Sequence, residues 1–139
     1  MYRVVKKLDF CYGHRLLDYQ GKCAHPHGHN GMVEVEFSRE ELDRRGMVVD
    51  FQDIKNELKV FLDCELDHKM LLRKDDPLVG ILKEMNEPVF VMQENPTAEN
   101  IAQLIFNYAL SRDLPVTAVR LWETPSSYAE CHASGDKGR

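Results

Sequence analysis

The stretch 30–37 constrains the fold most, because its apolar residues recur with a period of two. Val33, Val35 and Phe37 alternate with Met32 and two glutamates. Side chains of a β-strand point alternately to its two faces, so this pattern predicts a strand with one buried face and one polar face. The buried face has to be covered by a second layer of the fold.

Two histidines extend this period toward the N-terminus. His27 and His29 fall on the apolar face, so their imidazoles are expected side by side where the strand begins. Zn²⁺ favours such nitrogen ligands at tetrahedral angles. A lone His-x-His pair is also explained without a metal, by two rings that are hydrogen-bonded at the polar end of a strand. The neighbouring Cys23, Gly28 and His14 favour the metal.

An earlier strand is predicted from residue 2 to about residue 13, because its even-numbered positions are mostly apolar. His14 continues the even-numbered face. If the two strands form an antiparallel pair, His14 meets His27 and His29. The sequence therefore predicts that three imidazoles meet at one end of a sheet.

The remaining pattern alternates between helical and extended periods. It predicts a short strand at 47–49, a helix from Asp50 to about Asp63, an irregular stretch at 64–69, a short helical piece from Pro77, a strand at 89–92, a helix from Thr97, and strands at 116–123 and 127–131. These elements predict an α+β fold in which two main helices pack on one face of an antiparallel sheet. Such a sheet has open edges, which assembly into a closed ring would remove.

Composition narrows the class of protein. The chain has 139 residues, 43% hydrophobic and 29% charged, which predicts one domain over residues 1–133 and a frayed tail at 134–139. The net charge of −5 argues against a nucleic-acid or anionic-membrane partner. Neither a bilayer-spanning run nor a signal peptide is recognised, so a cytoplasmic protein is expected. The four cysteines form no Cys-x-x-Cys pair, and free thiols are expected in that compartment.

Six motifs occur in a defined order along the chain. They are His14-Arg15-Leu16, Cys23-x-x-x-His27-Gly28-His29-Asn30, Gly46-Met47-Val48-Val49-Asp50-Phe51, Leu66-Asp67-His68, Asn95-Pro96-Thr97-Ala98-Glu99-Asn100 and Glu123-Thr124. Together they resemble the 6-pyruvoyltetrahydropterin synthase family over nearly the whole chain. The three residues between Cys23 and His27 resemble the bacterial 6-carboxytetrahydropterin synthases of queuosine biosynthesis, whereas pyruvoyl-forming enzymes typically have a longer gap.

The resemblance implies a fold, a substrate and residue roles. It implies a tunnelling fold (T-fold) whose subunits close a β-barrel as trimers or hexamers, with active sites at subunit interfaces. It also implies that 7,8-dihydroneopterin triphosphate loses triphosphate and, in the carboxy-forming enzymes, acetaldehyde. By matching motif, the resemblance implies that Zn²⁺ is bound by His14, His27 and His29. It implies that Cys23 is the general base and that Asp67 and His68 tune it. It assigns substrate binding to Glu123 and Thr97.

Each main role has a chemical rationale. Three histidines leave one zinc position open for substrate hydroxyls. A cysteine has an ordinary pKa of about 8.5, so it needs a nearby cation or a His–Asp pair to act as a base at neutral pH. A carboxylate such as Glu123 can accept both hydrogen bonds from the 2-amino and N3–H edge of a pterin. Arg15, Lys22 and Lys69 are the basic residues proposed for the triphosphate.

Three alternatives remain open from the sequence. Cys23 and the three histidines can instead close a four-ligand structural zinc site in a non-catalytic module. The product can keep a pyruvoyl side chain. A zinc hydrolase ranks last, because the sequence has no His-Glu-x-x-His motif. Two residues depart from the family pattern: Tyr12, which can reshape the pocket, and His25, which is expected to face solvent.

Overall fold

The computed structural model describes residues 1–134 and forms one six-stranded sheet. Its strands are β1 (Tyr2–His14), β2 (His27–Arg39), β3 (Lys69–Arg73), β4 (Val89–Met92), β5 (Val116–Thr124) and β6 (Ser127–His132). Their spatial order is β4-β3-β1-β2-β5-β6. The long strands β1 and β2 therefore lie at the centre of the sheet.

The predicted antiparallel pair of β1 and β2 is confirmed. Its register runs from Tyr2 opposite Arg39 to His14 opposite His27. From Leu8 onward the even-numbered residues of β1 are buried. The last pairs of this ladder bring residues 12–14 beside residues 27–29, so the histidines of both strands reach the same end of the sheet.

The prediction of an antiparallel sheet is wrong for the β3–β4 side. β3 pairs in parallel with both β1 and β4, so the sheet is mixed. β3 begins at Lys69, the last residue of the stretch predicted to be irregular, and continues through residues for which no element was predicted. Its residues Leu71 and Leu72 are both fully buried, and a strand buried on both faces shows no alternation to detect.

Three helical regions accompany the sheet, and they correspond to the predicted two main helices and the predicted short helical piece from Pro77. They are α1 (Phe51–Ile54), which continues through π-helical stretches at Lys55–Lys59 and Leu62–Leu66, then α2 (Leu78–Glu84) and α3 (Ala98–Ser111). The first region thus ends beyond the predicted Asp63. The predicted strand at 47–49 is absent, although Val48 and Val49 are buried in the core.

The core lies between the sheet and its helices. Phe10, Val35 and Leu121 of the sheet belong to the same buried cluster as Leu58 and Ile105 of the helical layer. No helix within residues 1–134 combines the length and apolar character needed to span a membrane. Of the predicted frayed tail at 134–139, all but Ser134 lies outside the described residues.

Candidate active site

Three histidines converge at the end of β1 and β2. One ligand atom from each of His14, His27 and His29 lies within 4.8 Å of the other two. The Nε2 atoms of His14 and His29 are 3.2 Å apart. Tetrahedral zinc with Zn–N bonds of 2.0–2.1 Å would separate two ligand nitrogens by roughly 3.3 Å. The predicted grouping of the three rings is confirmed, and its spacing fits a metal ion.

Backbone carbonyls fix the orientation of two of these rings. Nδ1 of His14 lies 2.7 Å from the carbonyl oxygen of Pro96, and Nδ1 of His27 lies 2.8 Å from that of His25. A carbonyl can only accept, so each Nδ1 carries the proton and donates it. Each Nε2 is then left with its lone pair, which is the form that binds metal.

Burial keeps His14 neutral. This residue is 3% exposed, and burial lowers the pKa of its imidazole to about 4, with smaller contributions from His27 and His29. The hydrogen bond to Pro96 opposes the shift without reversing it. At neutral pH the ring is therefore unprotonated and available as a ligand.

Glu123 approaches the same cluster from β5. Its Oε2 lies 2.8 Å from Nε2 of His29 and 3.6 Å from Nε2 of His14. Burial raises the pKa of the carboxyl, while the neighbouring His29 and His27 oppose that rise. A half-buried carboxylate at the end of an apolar face needs hydrogen-bond donors to compensate for its lost hydration. The position of Glu123 fits a carboxylate that accepts such hydrogen bonds from a ligand.

Cys23 lies on the approach to β2 but outside the histidine group. It sits in a short 3₁₀ turn, Lys22–Ala24, and is half-buried. Its carbonyl accepts a hydrogen bond from the backbone of Leu16, which ties this turn to the segment after His14. Cys23 does not belong to the group of ligand atoms within 4.8 Å of one another found in residues 1–134.

Asp67 and His68 form a hydrogen-bonded pair. Nδ1 of His68 lies 2.7 Å from Asp67, whose other oxygen accepts from the backbone N–H of Cys11. These hydrogen bonds help to hold the pKa of Asp67 below its ordinary value despite the opposing effect of burial, which is the largest single contribution. The side chain of His68 is 78% exposed. Between residues 1 and 134, no hydrogen bond or ion pair joins this pair to Cys23.

Thr97 caps α3, and its neighbours position His14. The hydroxyl of Thr97 accepts from the backbone N–H of Asn100. Asn95 donates to the carbonyl of Leu17 and accepts from its N–H, which fastens the loop after His14 to the start of α3. The sequence predicted the helix start here but not this clamp, because a contact between segments so distant in sequence leaves no local pattern.

The three basic residues proposed for the triphosphate differ in availability. Arg15 forms a bidentate ion pair with the buried Asp76, so its charge is already compensated. Lys22 is exposed beside Cys23. Lys69 lines a cavity of about 810 Å³ together with His27, His29 and His68, among others.

The matching family agrees with this geometry. A sequence model described as 6-pyruvoyl tetrahydropterin synthase matches residues 3–134. The chain belongs to the 6-pyruvoyl tetrahydropterin synthase family.

Curated relatives within the tetrahydropterin synthases match over nearly their whole length. The 6-carboxy-5,6,7,8-tetrahydropterin synthase of Rickettsia conorii is 35% identical over 137 residues, covering 94% of this chain and 99% of the relative. The enzyme of the same name from Haemophilus influenzae is 32% identical, covering 94% and 98%. The chain is therefore similar to enzymes from end to end.

Two solved structures share the fold of this chain. The crystal structure of an uncharacterized protein from Wolinella succinogenes has a TM-score of 0.79 at 30% identity and covers 94% of this chain and 97% of its own. The 6-pyruvoyl tetrahydropterin synthase of Caenorhabditis elegans has a TM-score of 0.71 at 26% identity, with 96% of each chain covered. The mixed sheet and its helices are thus shared with a tetrahydropterin synthase.

Proposed function

We propose that this protein is a zinc-dependent 6-carboxy-5,6,7,8-tetrahydropterin synthase that acts on 7,8-dihydroneopterin triphosphate. The observation that carries the proposal is the convergence of three imidazoles beside a half-buried carboxylate. The names of the relatives and the short gap between Cys23 and His27 support the carboxy-forming reaction. The corresponding pathway is queuosine biosynthesis in the cytoplasm.

The donor set fits zinc. His14, His27 and His29 would hold the ion, because the Nδ1 atoms of His14 and His27 are tied to carbonyls and leave Nε2 free. When bound, zinc supplies Lewis acidity that makes substrate hydroxyls more acidic. The low pKa of His14 suits this role, since a protonated ring could not act as a ligand.

Proton transfer is assigned to Cys23. The thiolate would remove protons from the side-chain carbons next to the pterin ring and return them to the ring system, so that the ring is reduced at the expense of the side chain. This internal redistribution needs no redox cofactor, and one water is consumed when the carbon–carbon bond is cleaved to the carboxylate and acetaldehyde. Asp67 and His68 would raise the thiolate fraction of Cys23. Because His68 is exposed, the pair can act on the thiol of a second copy of the chain in a trimer or hexamer.

Recognition of the ring is assigned to Glu123. Its two oxygens would accept from the 2-amino and N3–H groups of the pterin, which would replace the present contact with His29. Thr97 would contribute its hydroxyl while it still caps α3. Lys22 and Lys69 would face the triphosphate, whereas Arg15 is held by Asp76.

Two alternative functions predict different properties of this protein. A pyruvoyl-forming enzyme would release triphosphate without carbon–carbon cleavage. A structural zinc module would bind the ion through Cys23 as a fourth ligand, and the absence of Cys23 from the ligand group within the described residues argues against it.

Incubation of the zinc-loaded protein with 7,8-dihydroneopterin triphosphate tests the proposal. Acetaldehyde and the 6-carboxy product are expected, while a pyruvoyl product without acetaldehyde would support the other synthase. Cys23→Ala should keep one zinc per chain and lose turnover. Cys64→Ala, which changes an exposed thiol, should keep both. Loss of zinc and of folding in Cys23→Ala alone would indicate the structural module.

A further inference from the structure

Tyr12 contacts two rings of the histidine cluster. It is 3% exposed and stands opposite His29 in the β1–β2 register. The centroid of its ring is 5.2 Å from that of His14, in an edge contact, and 5.6 Å from that of His29. The ring also stacks on Phe10 with centroids 4.9 Å apart. These contacts fix the plane of the tyrosine and the direction of its hydroxyl.

Gly31 provides the space for this ring. A Cβ atom at residue 31 would lie 2.9 Å from Cε1 of Tyr12, so a larger residue there would displace the ring. The β2–β5 pairing ends at Met32 opposite Trp122, and Glu123 follows Trp122 along β5. The ring of Tyr12 therefore lies against Gly31, and it contacts the same two histidines, His14 and His29, that Glu123 contacts.

The hydroxyl of Tyr12 is buried and lacks a well-formed hydrogen bond within the described residues. A phenol has an ordinary pKa of about 10, so the hydroxyl carries its proton at neutral pH and can donate it. A buried donor without an acceptor is costly, which favours any arrangement that supplies one. The carboxylate of Glu123 is the nearby acceptor, because it contacts His29 and His14, the two rings that Tyr12 also contacts.

We propose that Tyr12 positions Glu123 and thereby determines specificity for the pterin edge. The Tyr12 hydroxyl donates to one oxygen of Glu123 and turns the carboxylate away from the metal ligands toward the bound ring. Nε2 of His29 lies 2.8 Å from Oε2 at present, but a bound metal requires that nitrogen. Tyr12 is a donor that does not compete with the metal. This inference rests on the proposed function, since it requires that Glu123 binds a pterin.

Tyr12→Phe tests the inference, because it keeps the ring and its contact with Gly31 and removes only the hydroxyl. The probes are pterin and lumazine, which carry an amino group and an oxygen at position 2, and the readout is the dissociation constant of each for zinc-loaded protein. The wild type is expected to prefer pterin. Tyr12→Phe should lower that preference roughly tenfold, with little change for lumazine. In turnover, KM should rise while kcat changes little.

Two further variants control this test. Tyr2→Phe removes the hydroxyl of a tyrosine that is 52% exposed and should leave the preference unchanged. Gly31→Ala keeps the hydroxyl, but its Cβ atom displaces the ring of Tyr12. It should lower the preference for pterin when it is introduced into the wild type. It should not lower that preference further when it is introduced into Tyr12→Phe. Zinc content and the melting temperature are measured for each variant, so that loss of the site is recognised.

The outcomes separate the two levels of the proposal. If the wild type prefers pterin and Tyr12→Phe keeps that preference, the role of Tyr12 is refuted while the proposed function stands. If Tyr12→Phe weakens both ligands equally, Tyr12 has only a structural role. If the wild type binds neither ligand, Glu123 does not recognise a pterin, and both proposals fail.

Discussion

At the scale of the residue, the site depends on which nitrogen of each histidine is free. Backbone carbonyls take the Nδ1 protons of His14 and His27, so Nε2 is directed into the cluster. The neighbouring His25 contributes only its carbonyl to this arrangement, and its side chain is exposed. His25 and His27, two residues apart, thus have different surroundings: the ring of His27 joins the cluster and that of His25 is exposed.

His27→Ala is expected to lose stoichiometric zinc, because it removes one of three ligands. His25→Ala is the matched control and should retain one zinc per chain, since its carbonyl is unchanged. Metal content after dialysis against a weak chelator measures the difference. Equal retention of zinc by both variants would contradict the ligand assignment.

The low pKa of His14 predicts a pH dependence of stability for the metal-free protein. The folded value of about 4 lies below the ordinary value of about 6.5 expected in the unfolded chain, so the unfolded chain takes up the proton first as pH falls. The free energy of unfolding should therefore decrease between about pH 6.5 and 4, by at most about 3 kcal/mol. Denaturant unfolding at several pH values measures it.

His14→Gln provides the comparison for this pH dependence. The variant lacks the titrating ring, so its unfolding free energy should change less over the same range. The same slope in wild type and variant would show that His14 is not held neutral by the fold.

At the scale of the element, ion pairs and caps hold the loops around the site. Asp76 is 3% exposed, forms a bidentate pair with Arg15, and accepts from the backbone N–H of Leu78 at the start of α2. Arg15 follows His14 directly in the sequence. This pair thus fastens the end of β1 to the α2 region and fixes the backbone next to a proposed ligand.

Asp76→Asn is expected to lower the free energy of unfolding by about 3 kcal/mol, because it leaves Arg15 with an uncompensated charge. Asp75→Asn changes the adjacent carboxylate, which is 58% exposed in its pair with Arg73, and should cost less than about 1 kcal/mol. Urea unfolding monitored by circular dichroism compares the two. Equal effects would mean that burial of Asp76 does not determine its contribution.

The elements also show what a sequence pattern can and cannot predict. The alternation in β2 predicted both the strand and the shared face of His27 and His29, because polar residues alternate with the buried apolar ones along it. β3 was missed because Leu71 and Leu72 are buried on both faces. The carbonyl of Pro96 on His14 was also missed, since a backbone atom from a distant segment has no residue type that identifies it.

At the scale of the whole molecule, the proposed catalytic groups are not all joined within one chain. His68 is largely exposed, and Cys23 lies outside the group of ligand atoms found in residues 1–134. The proposed assembly would bring Asp67 and His68 of one copy to the thiol of another. Asp67 and His68 directly precede β3, which pairs in parallel with β1.

Mixing two inactive variants tests this arrangement. Cys23→Ala and His68→Ala should each be inactive alone. When they are unfolded together and refolded at equal concentration, about a quarter of wild-type turnover should return, since half of the chains keep the thiol and half of their neighbours keep His68. A mixture that remains inactive would place both groups of each site in the same chain.

The central claim is that three imidazoles hold the metal while the thiol stays off it. X-ray absorption at the zinc edge of the loaded protein measures this directly. We predict three nitrogen ligands and one oxygen at about 2.0–2.1 Å. A sulfur at about 2.3 Å would contradict the account, because Cys23 would then fill the position that the substrate needs.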